Sequence, residues 1–262
     1  MTSHQQRLLT GLILLPLLAL LVVKGSPLAW ASVLAGVSML GLWEFYSLFW
    51  PREKYLLKIL GLIPALLICF GKDFGLNPVA VLLMGFWGVN FFFLLKLDRG
   101  LQGKLSEAHV LTTGWVYLPL VLHFALYLQR IELVLVLLVT FLSDTGAYYG
   151  GRLFGKKKLW PKISPNKTWA GAFGGLLTSV PACLLVGVFW GTAAWYHWLW
   201  IPVLLNIGSQ VGDFFESGLK RHLEVKDSGT ILPGHGGVLD RIDSLLLVLP
   251  VYMAIRTVMP LF

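Results

Sequence analysis

The sequence predicts an all-α integral membrane protein, a polytopic bundle of about nine transmembrane helices with a polar cavity that faces the cytoplasm. Of the 262 residues, 56% are hydrophobic and only 13% are charged, and the mean hydropathy is +0.75. Soluble domains carry about 25% charged residues, so this chain is too apolar to be one. Apolar runs of roughly 20 residues, the length that spans a bilayer, also follow one another with short connections.

The apolar runs are interpreted in order as membrane spans, each long enough to cross with modest tilt. They cover residues 8–23, 27–49, 55–71, 78–95, 110–128, 131–150, 169–190, 196–216 and 243–260. The first run has the length of a signal peptide, but Lys24-Gly25-Ser26-Pro27 lacks the small-x-small cleavage pattern. No linker separates the runs, so residues 1–262 are predicted to form a single polytopic domain.

The basic residues predict the orientation, because lysine and arginine accumulate in cytoplasmic loops. With the N-terminus inside, the outer side keeps only Lys24, Lys72, Arg130 and Arg256. The loops at about 151–168 and 217–242 then share the cytoplasmic face, and the C-terminus lies outside. Most of the net charge of +8 belongs to that face, which suits anionic lipid headgroups and other anionic ligands. No nucleic-acid partner is expected.

The loop before the last span is dense in charged residues and glycine. From Ser217 to Asp243 it reads SGLKRHLEVKDSGTILPGHGGVLDRID. The segment 233–237, Pro-Gly-His-Gly-Gly, predicts a turn that needs glycine backbone, and bare amides in such a turn can approach a phosphate closely. A loop that only set the topology would not need two aspartates beside an arginine and a Gly-Gly pair.

The other basic loop ends at the predicted start of the seventh span. Backbone amides and the positive dipole of a helix start can hold an anion, although a plain topogenic loop would look much the same. The residues predicted to contact phosphate here are Ser164, Asn166, Lys167 and Thr168. Gly171 and Gly175 predict a close helix contact just beyond them.

The acidic residues within or at the edge of the predicted spans include Asp144, Asp213 and Glu44. Asp144 and Asp213 lie near the inner ends of the sixth and eighth, where a carboxylate costs a few kcal/mol unless it is paired or metal-bound. Glu44, in the second span, has no evident partner and is interpreted as structural. A polar stripe at helical spacing is predicted to face a wet cavity, with hydrogen bonding between helices as the alternative. Its members are Asn206, Gln210, Asp213 and Ser217, with Ser209 and Glu216 beside them.

The loop 217–243 resembles the signature of phosphatidate cytidylyltransferases, also called CDP-diacylglycerol synthases. The matching residues are Ser217, Lys220-Arg221, Lys226-Asp227, Gly229, Pro233, His235-Gly236-Gly237 and Asp240-Arg241-Ile242-Asp243. The resemblance implies a multi-span enzyme that joins CTP to phosphatidic acid and releases pyrophosphate, with its active site on the cytoplasmic side of a bacterial inner membrane. The block 164–171 also resembles this family, whose members often carry an acidic residue where this chain has Ala170.

The implied reaction brings two anions together, so the protein's main task is to neutralise charge. Asp213 and Asp240 are predicted to hold Mg²⁺, a hard cation that prefers one or two carboxylates plus substrate oxygens. The resemblance implies the same pair, and Asp144 and Asp243 are predicted as additional ligands.

Basic side chains are predicted to neutralise the phosphates, arginine being able to do so with two parallel hydrogen bonds. They are Lys220, Arg221, Lys226 and Arg241, with Asp227 beside them in the catalytic set. Ser217, Gly236 and Gly237 are predicted phosphate contacts, and His235 is predicted to bind or protonate the pyrophosphate.

Two other functions stay open at this point. A CTP-dependent membrane lipid kinase of the polyprenol type would have a similar placement but would transfer the γ-phosphate. An ion-coupled transporter also places acids inside helices, although no inverted repeat is evident and the polar groups cluster at one face. The oligomeric state is left open, a homodimer included.

Overall fold

A computed structural model describes Leu12 and residues 16–98, 105–231 and 236–262, apart from the side chain of Asp73. Most of these residues are helical. The helices are α1 Pro27–Phe49, α2 Tyr55–Phe70, α3 Pro78–Asp98, α4 Leu105–Trp115, α5 Arg130–Phe154, α6 Trp169–Trp190, α7 His197–His222, α8 Leu239–Ile242 and α9 Leu245–Val258. Residues 16–24 are helical too. Helix α4 is followed without a break by three short elements: a π turn at Val116–Leu120, a short helix at Val121–His123 and a 3-10 turn at Phe124–Tyr127. A further 3-10 turn, Gly71–Phe74, follows α2.

Five helices within the described ranges are long and apolar enough to cross a membrane. They are Pro27–Phe49, Pro78–Asp98, Leu105–Tyr127, Arg130–Phe154 and Trp169–Trp190, and α2 is a shorter apolar helix. The predicted bounds 27–49 and 169–190 are confirmed to the residue. The predicted span 8–23 is described only at Leu12 and at residues 16–23, which are helical. A helical membrane protein is therefore confirmed, while the count of nine spans stays a prediction.

Side-chain caps explain where several helices begin. The Ser26 hydroxyl accepts a backbone N–H from the first turn of α1, and Pro27 has the fixed φ that suits the first helical position. At α5 the N–H of Gln129 donates to the Glu132 carboxylate at 2.7 Å, one half of a capping box. Thr168 caps α6 through its hydroxyl, which accepts from a first-turn amide at 3.1 Å.

The chain groups into two compact units. The first comprises Met1–Leu126 and Asp227–Asp240. In its core the Tyr46 hydroxyl donates to the carbonyl of Leu111, and the Trp115 indole donates to the carbonyl of Gly61 at 2.7 Å. These bonds satisfy the polar tips of buried aromatic side chains.

The second unit comprises Tyr127–Lys226 and Arg241–Phe262. Its helices α5 and α6 approach closely through glycine: a Cβ on Gly171 would lie 2.7 Å from the carbonyl oxygen of Ala147, and one on Gly175 would lie 2.7 Å from that of Ser143. Only the missing side chains permit this spacing. The close contact predicted at Gly171 and Gly175 is confirmed.

A small β-hairpin precedes α6. Strand β1, Lys158–Trp160, pairs antiparallel with β2, Ser164–Thr168. The loop predicted over 151–168 differs from the structure in two respects. Helix α5 continues to Phe154, and the two short strands then lead directly into the cap of α6.

Candidate functional site

A lysine and an aspartate predicted from separate segments form an ion pair in the second unit. Strand β2 carries Lys167, and α7 carries Asp213; Nζ of the lysine lies 2.8 Å from Oδ2 of the aspartate. Lys167 also lies over the ring of Phe214, 4.5 Å from its centre, and donates to the carbonyl of Gln210 at 3.3 Å. The hairpin thus fixes a cation beside the predicted metal ligand, and both side chains keep partial access to water.

Asp144 connects two further elements to this region. Its Oδ1 accepts from the hydroxyl of Ser209 on α7 at 2.9 Å and from that of Ser244, which precedes α9, at 3.3 Å. Two hydroxyl donors stabilise the ionised carboxylate. Asp144 is nevertheless exposed, so its carboxylate is available to a ligand as well as to these two serines.

Asp243 lies in the turn between α8 and α9, close to α7. A Cβ on Gly212 would come within 2.5 Å of the Asp243 carbonyl oxygen, so glycine permits the approach. The charges of Asp213 and Asp144 both act on the Asp243 carboxylate. These three predicted metal ligands therefore lie near enough to repel one another, which favours a cation among them.

Glu216 is a participant that the sequence analysis did not assign to the site. It is fully buried on α7 and holds Nζ of Lys220 at 2.7 Å, one helical turn away. A buried carboxylate needs such a partner. The pair fixes a predicted phosphate-neutralising lysine along the helix, and the i,i+4 spacing of Glu216 and Lys220 was the signal available in the sequence.

The other predicted cations of this loop are exposed. Arg221 is exposed at the end of α7, where its guanidinium donates to the Val225 carbonyl at 3.4 Å. Lys226, Asp227 and Arg241 are exposed as well. Their side chains can therefore reach a soluble anion, and their assignment to substrate phosphates stays a prediction.

Two members of the polar stripe on α7 have defined partners. The Asn206 side chain accepts from the Ser143 hydroxyl at 2.6 Å and donates to the Ala172 carbonyl at 3.3 Å, and it is buried. Asn206 therefore makes the hydrogen bonds between helices that the alternative expects, while the predicted wet cavity stays a prediction. Ser217 donates a hydrogen bond to Asp213 at 3.1 Å. The end of the stripe that carries Asp213 and Ser217 is therefore the part that is a candidate for function.

The hairpin places the other residues predicted for the second basic loop. Asn166 is exposed, and Ser164 is half-buried. Thr168 is buried, and its hydroxyl accepts from the Gly171 amide, so this oxygen caps its own helix. Phosphate binding by these residues is not tested.

Asp240 belongs to the first unit, where backbone amides hold its carboxylate. The N–H of Gly237 donates to Oδ2 at 2.8 Å, and that of Ser228 at 3.1 Å. Gly236 adopts a φ of 84°, and a Cβ there would lie 2.7 Å from the same oxygen. The predicted need for glycine is confirmed at Gly236. His235 lies outside the described residues, and the pairing of Asp240 with Asp213 stays a prediction.

The carboxylates suit a hard divalent cation by their chemistry. Among the described residues, however, no group of three or more histidine, cysteine, aspartate or glutamate side chains is arranged to hold a metal ion. Mg²⁺ commonly binds through one or two carboxylates and completes its shell with water and substrate phosphates. Asp213 and its acidic neighbours in the second unit fit that mode. The full ligand set of Asp144, Asp213, Asp240 and Asp243 remains a prediction.

Comparison with curated proteins finds relatives that are named phosphatidate cytidylyltransferase. The chain is 56% identical over 115 residues to a phosphatidate cytidylyltransferase of Staphylococcus saprophyticus, an alignment that covers 43% of this chain and 44% of the relative. Proteins of the same name from Staphylococcus haemolyticus and Staphylococcus aureus are 53% and 50% identical to this chain. Each of these alignments spans 131 residues, which is 49% of this chain and 47% of the relative. The chain thus aligns with about half the length of these relatives.

A comparison with family models reaches further along the chain. The model of the cytidylyltransferase family matches residues 5–259. This range includes the ion pair of Lys167 with Asp213, the buried pair of Glu216 with Lys220, and the glycine turn that holds Asp240. The chain belongs to the cytidylyltransferase family.

Proposed function

We propose that this protein joins CTP to phosphatidic acid, giving CDP-diacylglycerol and pyrophosphate. Family membership and the names of the relatives supply the reaction class. The observation that carries the proposal is the cluster in the second unit, where Lys167 pairs with Asp213 and further carboxylates lie nearby. A site that mixes cations with carboxylates that repel one another suits a reaction between a phosphate monoester and a nucleoside triphosphate that a divalent cation assists.

The bonds exchanged define what the site has to do. An oxygen of the phosphatidate phosphate forms a bond to the α-phosphorus of CTP, and the bond from that phosphorus to the bridging oxygen of the β-phosphate breaks. Pyrophosphate leaves with the electron pair. The nucleophile is already ionised near neutral pH, so no general base is needed. Positioning and charge neutralisation are the main contributions left to the protein.

Residues of the second unit can supply both contributions. Lys220, fixed by Glu216, and the exposed Arg221 and Lys226 neutralise phosphate charge in this proposal. Lys167, which lies beside Asp213, would also neutralise a phosphate oxygen in this proposal. When bound, Mg²⁺ would be held by Asp213 with its acidic neighbours, and it would offset the charge that develops on the phosphates.

The membrane setting is part of the proposal. We place the protein in a bacterial cytoplasmic membrane with about nine spans and the charged loops on the cytoplasmic side, where CTP is available. The concentration of basic residues on one predicted face supports this orientation. Anionic phosphatidic acid would be attracted to the same face.

The position of a radiolabel tests the reaction. Purified protein in mixed micelles is given phosphatidic acid, Mg²⁺ and CTP labelled either at the α- or at the γ-phosphate. We expect α-label to enter the lipid and γ-label to leave as pyrophosphate. Entry of γ-label into lipid would instead indicate a lipid kinase. Asp213→Asn should abolish most of the incorporation, whereas Asp98→Asn, which alters an exposed aspartate at the end of α3, should not.

A further inference from the structure

Glu44 of α1 is a buried carboxylate with three hydrogen bonds to one distant segment. Its side chain is 2% exposed. Oε1 accepts from the N–H of Val238 at 3.0 Å, while Oε2 accepts from the N–H of Leu239 at 2.8 Å and from the Ser228 hydroxyl at 3.2 Å. A carboxylate buried this deeply costs free energy unless hydrogen bonds satisfy it. Glu44 can therefore stay buried only while these hydrogen bonds are made.

These donors come from both described ends of the segment 227–240, residues 227–231 and 236–240. Ser228 lies at the start of the segment, and Val238 and Leu239 lie at its end. The Glu44 carboxylate therefore accepts hydrogen bonds from both ends. The glycines of the segment fit against the same group. A Cβ on Gly229 would lie 2.6 Å from Oε1, and one on Gly237 would lie 2.5 Å from Oε2. A larger residue at either position would push the segment away from Glu44.

The two described ends of the segment also hold the Asp240 carboxylate. The amides of Ser228 and Gly237 that hold Asp240 belong to residues that Glu44 touches. We infer that Glu44 is a positioning residue: it closes the two described ends of the segment, residues 227–231 and 236–240, onto each other so that Asp240 is oriented for cytidylyl transfer. The inference rests on the proposed function for its catalytic consequence, but the closure itself does not.

Glu44→Gln tests the inference because it keeps the shape and removes one acceptor. Both carboxylate oxygens accept a backbone N–H, so the amide nitrogen of glutamine must face one of them and lose that bond. Glu132→Gln is the matched control, since Glu132 is equally buried at 2% but bonds to Tyr252 and Arg256 in the second unit.

The first readout is closure and needs no activity. A cysteine replacing Val238, which is 8% exposed, reports opening through its rate of maleimide labelling in detergent; the native Cys69 and Cys183 are buried and give a low background. Glu44→Gln should speed this labelling by at least about tenfold, the expected effect of losing a buried hydrogen bond to a charge. Glu132→Gln should leave the rate unchanged.

The second readout is the reaction. Glu44→Gln should lower kcat by at least about tenfold and raise the Mg²⁺ concentration for half-maximal activity, with a smaller change in KM for CTP. Glu132→Gln should reduce thermal stability without moving the Mg²⁺ dependence. If Glu44→Gln does not fold, Gly237→Ala replaces it, with Gly88→Ala as its control because a Cβ there meets nothing within 4 Å.

The outcomes separate the two claims. A wild-type protein that makes no CDP-diacylglycerol refutes the proposed function, while the labelling rates still decide whether Glu44 closes the segment. An active wild type, combined with wild-type labelling and Mg²⁺ dependence in Glu44→Gln, overturns the inference. Faster labelling with unchanged kcat and Mg²⁺ dependence also overturns it, because Glu44 would then be structural only.

Discussion

Lys220→Met should destabilise the protein, because it removes the cation that is paired with a buried carboxylate. Glu216 is fully buried, and the ammonium of Lys220 lies 2.7 Å from its Oε2. Removing one partner of a buried ion pair costs about 3–5 kcal/mol of unfolding free energy. Glu216→Gln should cost less, about 1–3 kcal/mol, because the glutamine oxygen can still accept from Lys220. The double variant removes both charges and should recover much of the loss of Lys220→Met.

A thiol-reactive fluorescent dye can follow thermal unfolding in detergent. Both native cysteines, Cys69 and Cys183, are buried, so the dye reacts as the helices separate. We expect Lys220→Met to melt at the lowest temperature, with Glu216→Gln and the double variant between it and wild type. The reasoning is refuted if Lys220→Met melts with the wild type. It is equally refuted if the losses of the two single variants simply add in the double variant, because residues in contact should couple.

Three further predictions concern the metal site, the helix contact and the orientation. Asp213→Asn should lower turnover by at least about a hundredfold, near 3 kcal/mol, in the α-label assay; full activity would exclude a role for this carboxylate. Gly174→Ala should cost about 1–3 kcal/mol in a melting experiment, since its Cβ would lie 2.5 Å from a carbonyl oxygen of α5, whereas Gly88→Ala has open space; equal losses would contradict the packing argument. Cysteines at Ile231 and Ala194, both exposed, should label from the cytoplasmic and outer sides respectively, and the reverse pattern would overturn the orientation.

The helices and their close contacts could be predicted because their signals are local. An apolar run between polar ends defines a span, as in α1 and α6, whose bounds agree with the sequence analysis. Glycines at helical spacing predicted the contact at Gly171 and Gly175. The turn at Gly236 was predictable because a positive φ strongly favours glycine. Each of these conclusions needs only a short stretch of sequence.

The partners of individual charges could not be predicted, because they depend on contacts between distant segments. Glu44 and Ser228 are 184 positions apart, and no pattern near Glu44 indicates the amides that it accepts. Lys167 was predicted as a phosphate contact and Asp213 as a metal ligand, but their pairing follows from the β-hairpin. That hairpin was itself missed, since two short strands, one of them containing a proline, give almost no periodic signal.

Oxygen-18 in the phosphate of phosphatidic acid tests the proposed reaction most directly. If a phosphatidate oxygen attacks the α-phosphorus of CTP, all of the isotope stays in the lipid product, CDP-diacylglycerol, and one unlabelled pyrophosphate is released for each molecule formed. Mass spectrometry of both products measures this distribution. Isotope in the pyrophosphate, or a lipid product that carries an added phosphate without cytidine, would contradict the account.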